Sequence, residues 1–176
     1  MQKFTFTTKE KIFLILSLLV LIMLFASSSM TYHQQEMRPG FIHRYLGWLE
    51  NIVGNFNIYY GGRWHNAATD GGQAGMIQFV VRKLAHFSSY FALGLFSFLG
   101  LKRIFRISWV APILTWLAVI GLAAFDEFHQ FLTGDRTPSV HDVMLDGSGA
   151  FCAIMLCLLV LTINHFYSRK KQDKSA

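Results

Sequence analysis

Four apolar runs, each close to the length that crosses a bilayer, limit what this chain can fold into. The first extends from Ile12 to Ala26 and trails into Ser27, Ser28 and Ser29. The second covers Leu84 to Leu101, the third Ile107 to Phe125, and the fourth Gly147 to Ile163. In hydrocarbon there is no water to satisfy a backbone, so a spanning segment must use its own helical hydrogen bonds. The chain therefore reads as all-α, a polytopic membrane helix bundle of four transmembrane helices plus an extracellular amphipathic helix. The spans are placed near residues 12–29, 83–101, 107–126 and 142–165, in one domain over residues 1–166 with a basic cytoplasmic tail at 167–176. Hydrophobic residues make up 53% of the chain and charged residues 15%, which suits a surface solvated by lipid. The first run, preceded by Lys3, Lys9 and Lys11, also has the outline of a signal peptide. With its serine tail it approaches the ~20 residues of a span, which favours a retained helix. Cys152 and Cys157 lie inside the fourth run, five positions apart, and read as small packing residues.

The formal net charge is +6 and the pI about 9.5. The basic residues do not form one dense patch, which argues against nucleic acid as a partner. They gather at the ends of the runs instead. Lys3, Lys9 and Lys11 precede the first, Lys102, Arg103 and Arg106 join the second to the third, and Arg169, Lys170, Lys171 and Lys174 follow the fourth. If every run spans, all three groups fall on one side. The positive-inside rule then places both termini in the cytoplasm. Arg82 and Lys83 break the pattern at the outer end of the second span, an exception that asks for partners.

Residues 30–75 are long for a connection and call for structure of their own. Ile42, Tyr45, Leu46, Leu49, Ile52, Val53 and Phe56 recur at helical spacing opposite His43, Arg44, Glu50, Asn51 and Asn55. This is an amphipathic helix that lies on the outer leaflet or, more simply, caps the bundle. Tyr59–Tyr60–Gly61–Gly62–Arg63–Trp64–His65 and Asp70–Gly71–Gly72 follow. Aromatics among glycines fit an interfacial belt joined by turns better than they fit a ligand site.

The third run ends in Asp126–Glu127–Phe128–His129–Gln130. Acids at the end of a spanning helix are costly unless paired or wet. Upstream, Lys83, His86, Tyr90 and Gly94 share one helix face. Downstream, Ser139 and Asp142 have capping-box spacing, and Asp142, Asp146, Gly149 and Ala153 share a face. The last two are small enough for close helix approach. Each group alone has a structural explanation as an ion pair, a cap or a solvated charge. Together they form one polar cluster on one predicted membrane side. Lys83, His86 and Arg136 can hold phosphate or carboxylate. Glu127, Asp142 and Asp146 can hold a hard cation such as Mg2+ or Mn2+. His86, Glu127 or Asp126 can do acid–base work. The residues leave open which of these applies, and whether the chain is an enzyme.

These residues carry a resemblance. Arg82–Lys83–Leu84–Ala85–His86–Phe87–Ser88–Ser89–Tyr90–Phe91–Ala92–Leu93–Gly94, then Asp126–Glu127–Phe128–His129–Gln130–Phe131, Arg136, Asp142–Val143–Met144–Leu145–Asp146 and Gly149 resemble the VanZ-like family of small bacterial membrane proteins. Asp146 stands where many members have asparagine. The resemblance implies a cell-envelope role in a Gram-positive bacterium and lowered susceptibility to glycopeptide antibiotics of the teicoplanin type. It points to Lys83, His86, Tyr90, Asp126, Glu127, Gln130, Arg136, Asp142 and Asp146 as ligand-binding positions on the outer leaflet. There they would bind, or alter the exposure of, an anionic envelope component or lipoglycopeptide. The partners to be expected are membrane lipid, a lipid-linked cell-wall precursor, teichoic acid or the antibiotic itself. The alternative is a membrane-embedded, metal-dependent enzyme acting on a lipid-linked cell-wall precursor.

Overall fold

The computed structural model describes residues 5–31, 33–105, 109–133 and 138–173, with residues 172 and 173 described by their backbone alone. It contains five α-helices: α1 (Thr8–Ser28), α2 (Pro39–Val53), α3 (Gln73–Leu101), α4 (Val110–Leu132) and α5 (Val140–Asp173). A short antiparallel hairpin, β1 (Ile58–Tyr60) and β2 (Arg63–His65), lies between α2 and α3. Helices α1, α3, α4 and α5 are long and apolar enough to cross a membrane, and α2 is the amphipathic helix legible in the sequence. The third helix starts at Gln73, earlier than the apolar run alone suggests. Met76 and Ile77 in its first turns are fully buried, so packing on the hairpin side extends the helix beyond the hydrophobic signal.

The centre of the bundle is α3, which packs against α1, α2, α4 and α5. Leu24, Tyr90, Leu93, Val119, Ala123 and Ala150 form one buried cluster, and Phe98, Ala111, Ile154 and Cys157 a second. Trp116 touches both, and its indole N–H donates to the Gly147 carbonyl at 2.9 Å. The closest helix approach is between α3 and α5. A Cβ on Gly94 would meet Ala150 Cα at 2.8 Å, and one on Gly149 would meet the Phe87 carbonyl oxygen at 2.5 Å. Small residues let these backbones touch, which matters where lipid removes most of the hydrophobic drive for helix association.

Polar groups fasten the two ends. At the end where the chain begins, Thr7 and Glu10 form a capping box. Arg103, at the end of α3, donates to both Glu10 oxygens at 3.1 and 3.2 Å. Halfway along, the Ser17 and Ser97 hydroxyls share a hydrogen bond of 2.7 Å between α1 and α3. The other end carries the hairpin, the C-termini of α1 and α4 and the N-termini of α3 and α5. Helix α2 buries Ile42 and Val53 and leaves Phe41, Tyr45, Trp48 and Ile52 as an exposed stripe at helical spacing. It both caps the bundle and presents the aromatic composition of an interfacial helix.

The α3–α5 contact yields a direct test. Gly149→Ala should lower the thermal stability of the purified protein in detergent by about 1–3 kcal/mol through overpacking. Gly121→Ala, where a Cβ meets nothing within 4 Å, should have little effect in the same melting experiment.

Candidate functional site

The hairpin end encloses a cavity of about 650 Å³. Helix α3 supplies Phe79, Arg82, Lys83 and His86; α4 supplies Glu127 and Gln130; the start of α5, with the residue before it, supplies Ser139, Asp142, Leu145 and Asp146. The hairpin and the turn after it close the remaining side with Tyr60, Arg63, His65 and Asp70. Three helices and a hairpin thus place basic, acidic and hydroxyl groups around one space.

The neighbours Asp126 and Glu127 point in different directions, because adjacent residues on a helix sit about 100° apart. Asp126 faces α1. It accepts a hydrogen bond from the Ser28 hydroxyl and another from the Gln130 amide at 2.8 Å. His129 faces α1 too, stacked on Phe25 with ring centroids 4.7 Å apart. Glu127 faces the cavity and accepts the Ser139 backbone N–H at 2.9 Å. It satisfies one of the donors left free where α5 begins, and its charge complements that helix end.

Lys83 pairs with Asp142 and not with the acids of α4. The Tyr60 hydroxyl donates to the same Asp142 oxygen. Lys83 Nζ lies 4.7 Å from the Tyr60 ring centroid and 5.7 Å from that of Phe79, so its ammonium sits among π faces as well as on a carboxylate. Burial above all, and then the adjoining Asp142 carboxylate, push the Tyr60 phenol far above its ordinary value, so it stays a donor. His65 is buried, stacks on Phe79 at 3.9 Å and meets Asp70 through Nδ1 at 3.0 Å. Arg63 reaches the same Asp70 oxygen at 3.3 Å.

His86 and Asp146 form the floor. His86 Nδ1 is 3.5 Å from Asp146 Oδ2, within ion-pair reach but without hydrogen-bond geometry. Asp146 is fully buried. Among the described residues, no three His, Cys, Asp or Glu side chains converge as a metal ion requires. Glu127, Asp142 and Asp146 all line the cavity without making such a group among the described residues.

Of the positions singled out from the sequence, Lys83, His86, Glu127, Gln130, Asp142 and Asp146 line the cavity. Tyr90 is buried in the core beside Leu24, and Asp126 locks α4 to α1. Both border a separate apolar recess of about 300 Å³ between those helices. Arg136 lies outside the described residues. The hairpin residues Tyr60, Arg63, His65 and Asp70 were read as belt and turns, yet they form a wall of the cavity. The overlooked signal is Gly61–Gly62 between two aromatic-rich triplets. These glycines have φ of 60° and 83°, the positive values of a two-residue hairpin turn.

The division between Asp126 and Glu127 makes a contrast measurable. Asp126→Ala strands the Ser28 hydroxyl and the Gln130 amide and should cost about 1–3 kcal/mol in detergent melts. Glu127→Gln keeps an acceptor for the Ser139 N–H and should cost clearly less. Equal losses would contradict the division.

Comparison with known proteins gives one match to a family model, described as VanZ/LLP1, over residues 13–161 of the 176. No curated protein and no solved structure gives a significant match.

Proposed function

The chain belongs to the VanZ/LLP1 family, and from that premise we propose that it is a cell-envelope membrane protein that lowers susceptibility to teicoplanin-type glycopeptides. The cavity at the hairpin end is the working part. There the protein binds an anionic envelope component or the lipoglycopeptide itself at the outer leaflet, or alters its exposure. The observation that carries this reading is the cavity of about 650 Å³ bordered by the Lys83–Asp142 pair, His86, Glu127 and Asp146. Charged groups at the end of a helix bundle are costly to keep near hydrocarbon unless they serve a site or a lock. The space is within the usual range for small-molecule sites. Lys102 and Arg103 lie at the opposite end of the bundle, so the positive-inside rule supports an outward cavity with both termini in the cytoplasm.

A second reading has one specific support. His86 stands over the cavity beside the buried Asp146. A carboxylate behind an imidazole is the arrangement of an oriented acid–base. In that case the protein is an enzyme acting on a lipid-linked cell-wall precursor. A turnover assay on such precursors with His86→Ala as control separates the two.

The functional test is expression in a susceptible Gram-positive host. The intact chain should raise the teicoplanin concentration needed to stop growth. Glu127→Gln and His86→Ala, at unchanged protein level in the membrane, should return it to that of cells lacking the protein. Susceptibility unaffected by the intact chain would overturn the proposal.

A further inference from the structure

The inner wall of the cavity carries more negative than positive charge. Glu127, Asp142 and Asp146 stand there against Lys83. With Arg82, which borders the same cavity, counted beside Lys83, one negative charge is in excess while His86 is neutral. Nearer the hairpin, Arg63 is already matched by Asp70. Arg82 also borders the cavity, where it donates to Gln35 at 3.3 Å.

The acids differ in how they are satisfied. Asp142 accepts from Lys83 and Tyr60, and Glu127 from the Ser139 N–H. Asp146 has one polar neighbour, the His86 ring, at ion-pair distance. Its side chain is 1% exposed, it lines the cavity floor, and neither Oδ1 nor Oδ2 has a hydrogen-bond donor. The Nδ1 of His86, 3.5 Å away, is also without a hydrogen-bond partner. A buried carboxylate with no donor is among the most costly groups a fold can hold.

We propose that this floor seats a primary ammonium: the ligand of the cavity carries a protonated amine that donates to Asp146 and Glu127 beside the Lys83–Asp142 pair. The inference rests on reading the cavity as a ligand site, and adds the chemistry of the ligand. Among the described residues no three His, Cys, Asp or Glu side chains form a group that could hold a metal ion. An ammonium needs only two carboxylate acceptors and can give its third N–H to water. The cavity already holds one such group in this manner, since Lys83 Nζ rests on Asp142 between the Tyr60 and Phe79 rings. A quaternary ammonium has no donor to offer Asp146. A lone phosphate would add charge of the wrong sign to this floor. At a membrane surface the amine can be borne by a phospholipid headgroup or by a free or polymer-linked amino group.

The test uses the full chain in detergent micelles and follows its unfolding temperature. The probes are ethanolamine, choline, glycerol phosphate, and the lipids phosphatidylethanolamine and phosphatidylcholine. The amines with N–H donors should raise the transition, and their trimethyl counterparts and glycerol phosphate should not. An effect of ethanolamine itself assigns a free or polymer-linked amine; an effect of the lipid alone assigns a headgroup. Asp146→Asn should weaken the response at least about tenfold. Glu127→Gln should weaken it too, and serves if the Asp146 variant does not fold. The proposal is overturned by an equal response to choline or glycerol phosphate, by no response up to about 10 mM amine, or by an undiminished response in the variants. Amine binding without any change in teicoplanin susceptibility would remove the proposed function and leave this inference. Altered susceptibility without amine binding would do the reverse.

Discussion

A carboxylate in a lipid-solvated bundle must find a partner or face water, and the arrangement of this molecule follows from how its acids meet that demand. Glu10 is met by its own capping box and by Arg103, at the end away from the hairpin. Asp126 is met by Ser28 and Gln130, which ties the end of α1 to α4. Glu127 and Asp142 meet the start of α5 and Lys83. Asp146 alone of this set has no hydrogen-bond donor on either oxygen. The acids thus divide into those that fasten helices away from the cavity and those that line it.

The spans were legible because lipid imposes a minimum apolar length and little else in a sequence imitates it. The amphipathic helix was legible because its buried positions, from Ile42 to Val53, keep a helical period. The start of α3 was not, since residues 73–82 contain glutamines, an arginine and a glycine, while α2 packs on α3 and the Tyr60 and His65 rings rest on Phe79. The close contact of α3 with α5 could be anticipated from Gly149 and Ala153, and Gly94 against Ala150 is nearly as tight.

The site was legible as a set of residues and not as a geometry. Spacing shows that Lys83 and His86 share a face, but it does not choose between Asp126, Glu127 and Asp142 as partner of Lys83. That choice depends on the crossing of α3 and α5, which brings Asp142 to the lysine and leaves Asp126 facing α1. The hairpin was undervalued for a similar reason. Tyr60 and His65 look interfacial as aromatic residues, and only the fold turns them onto Phe79 and Asp142. The motifs that carry the resemblance to the VanZ-like family lie in the three helix ends that meet at this cavity.

The central claim is a polar, water-reachable cavity that opens outward between α3, α4 and α5. Its most direct measurement is labelling of Ser139→Cys, with Cys152 and Cys157 replaced, by a membrane-impermeant maleimide on intact cells. Ser139 lines the cavity beside Glu127. An outward cavity predicts rapid labelling without permeabilisation, slowed by Glu127→Lys, which places a lysine over the same opening. Labelling that requires permeabilised cells would reverse the orientation, and labelling that requires unfolding would show that water does not reach the cavity.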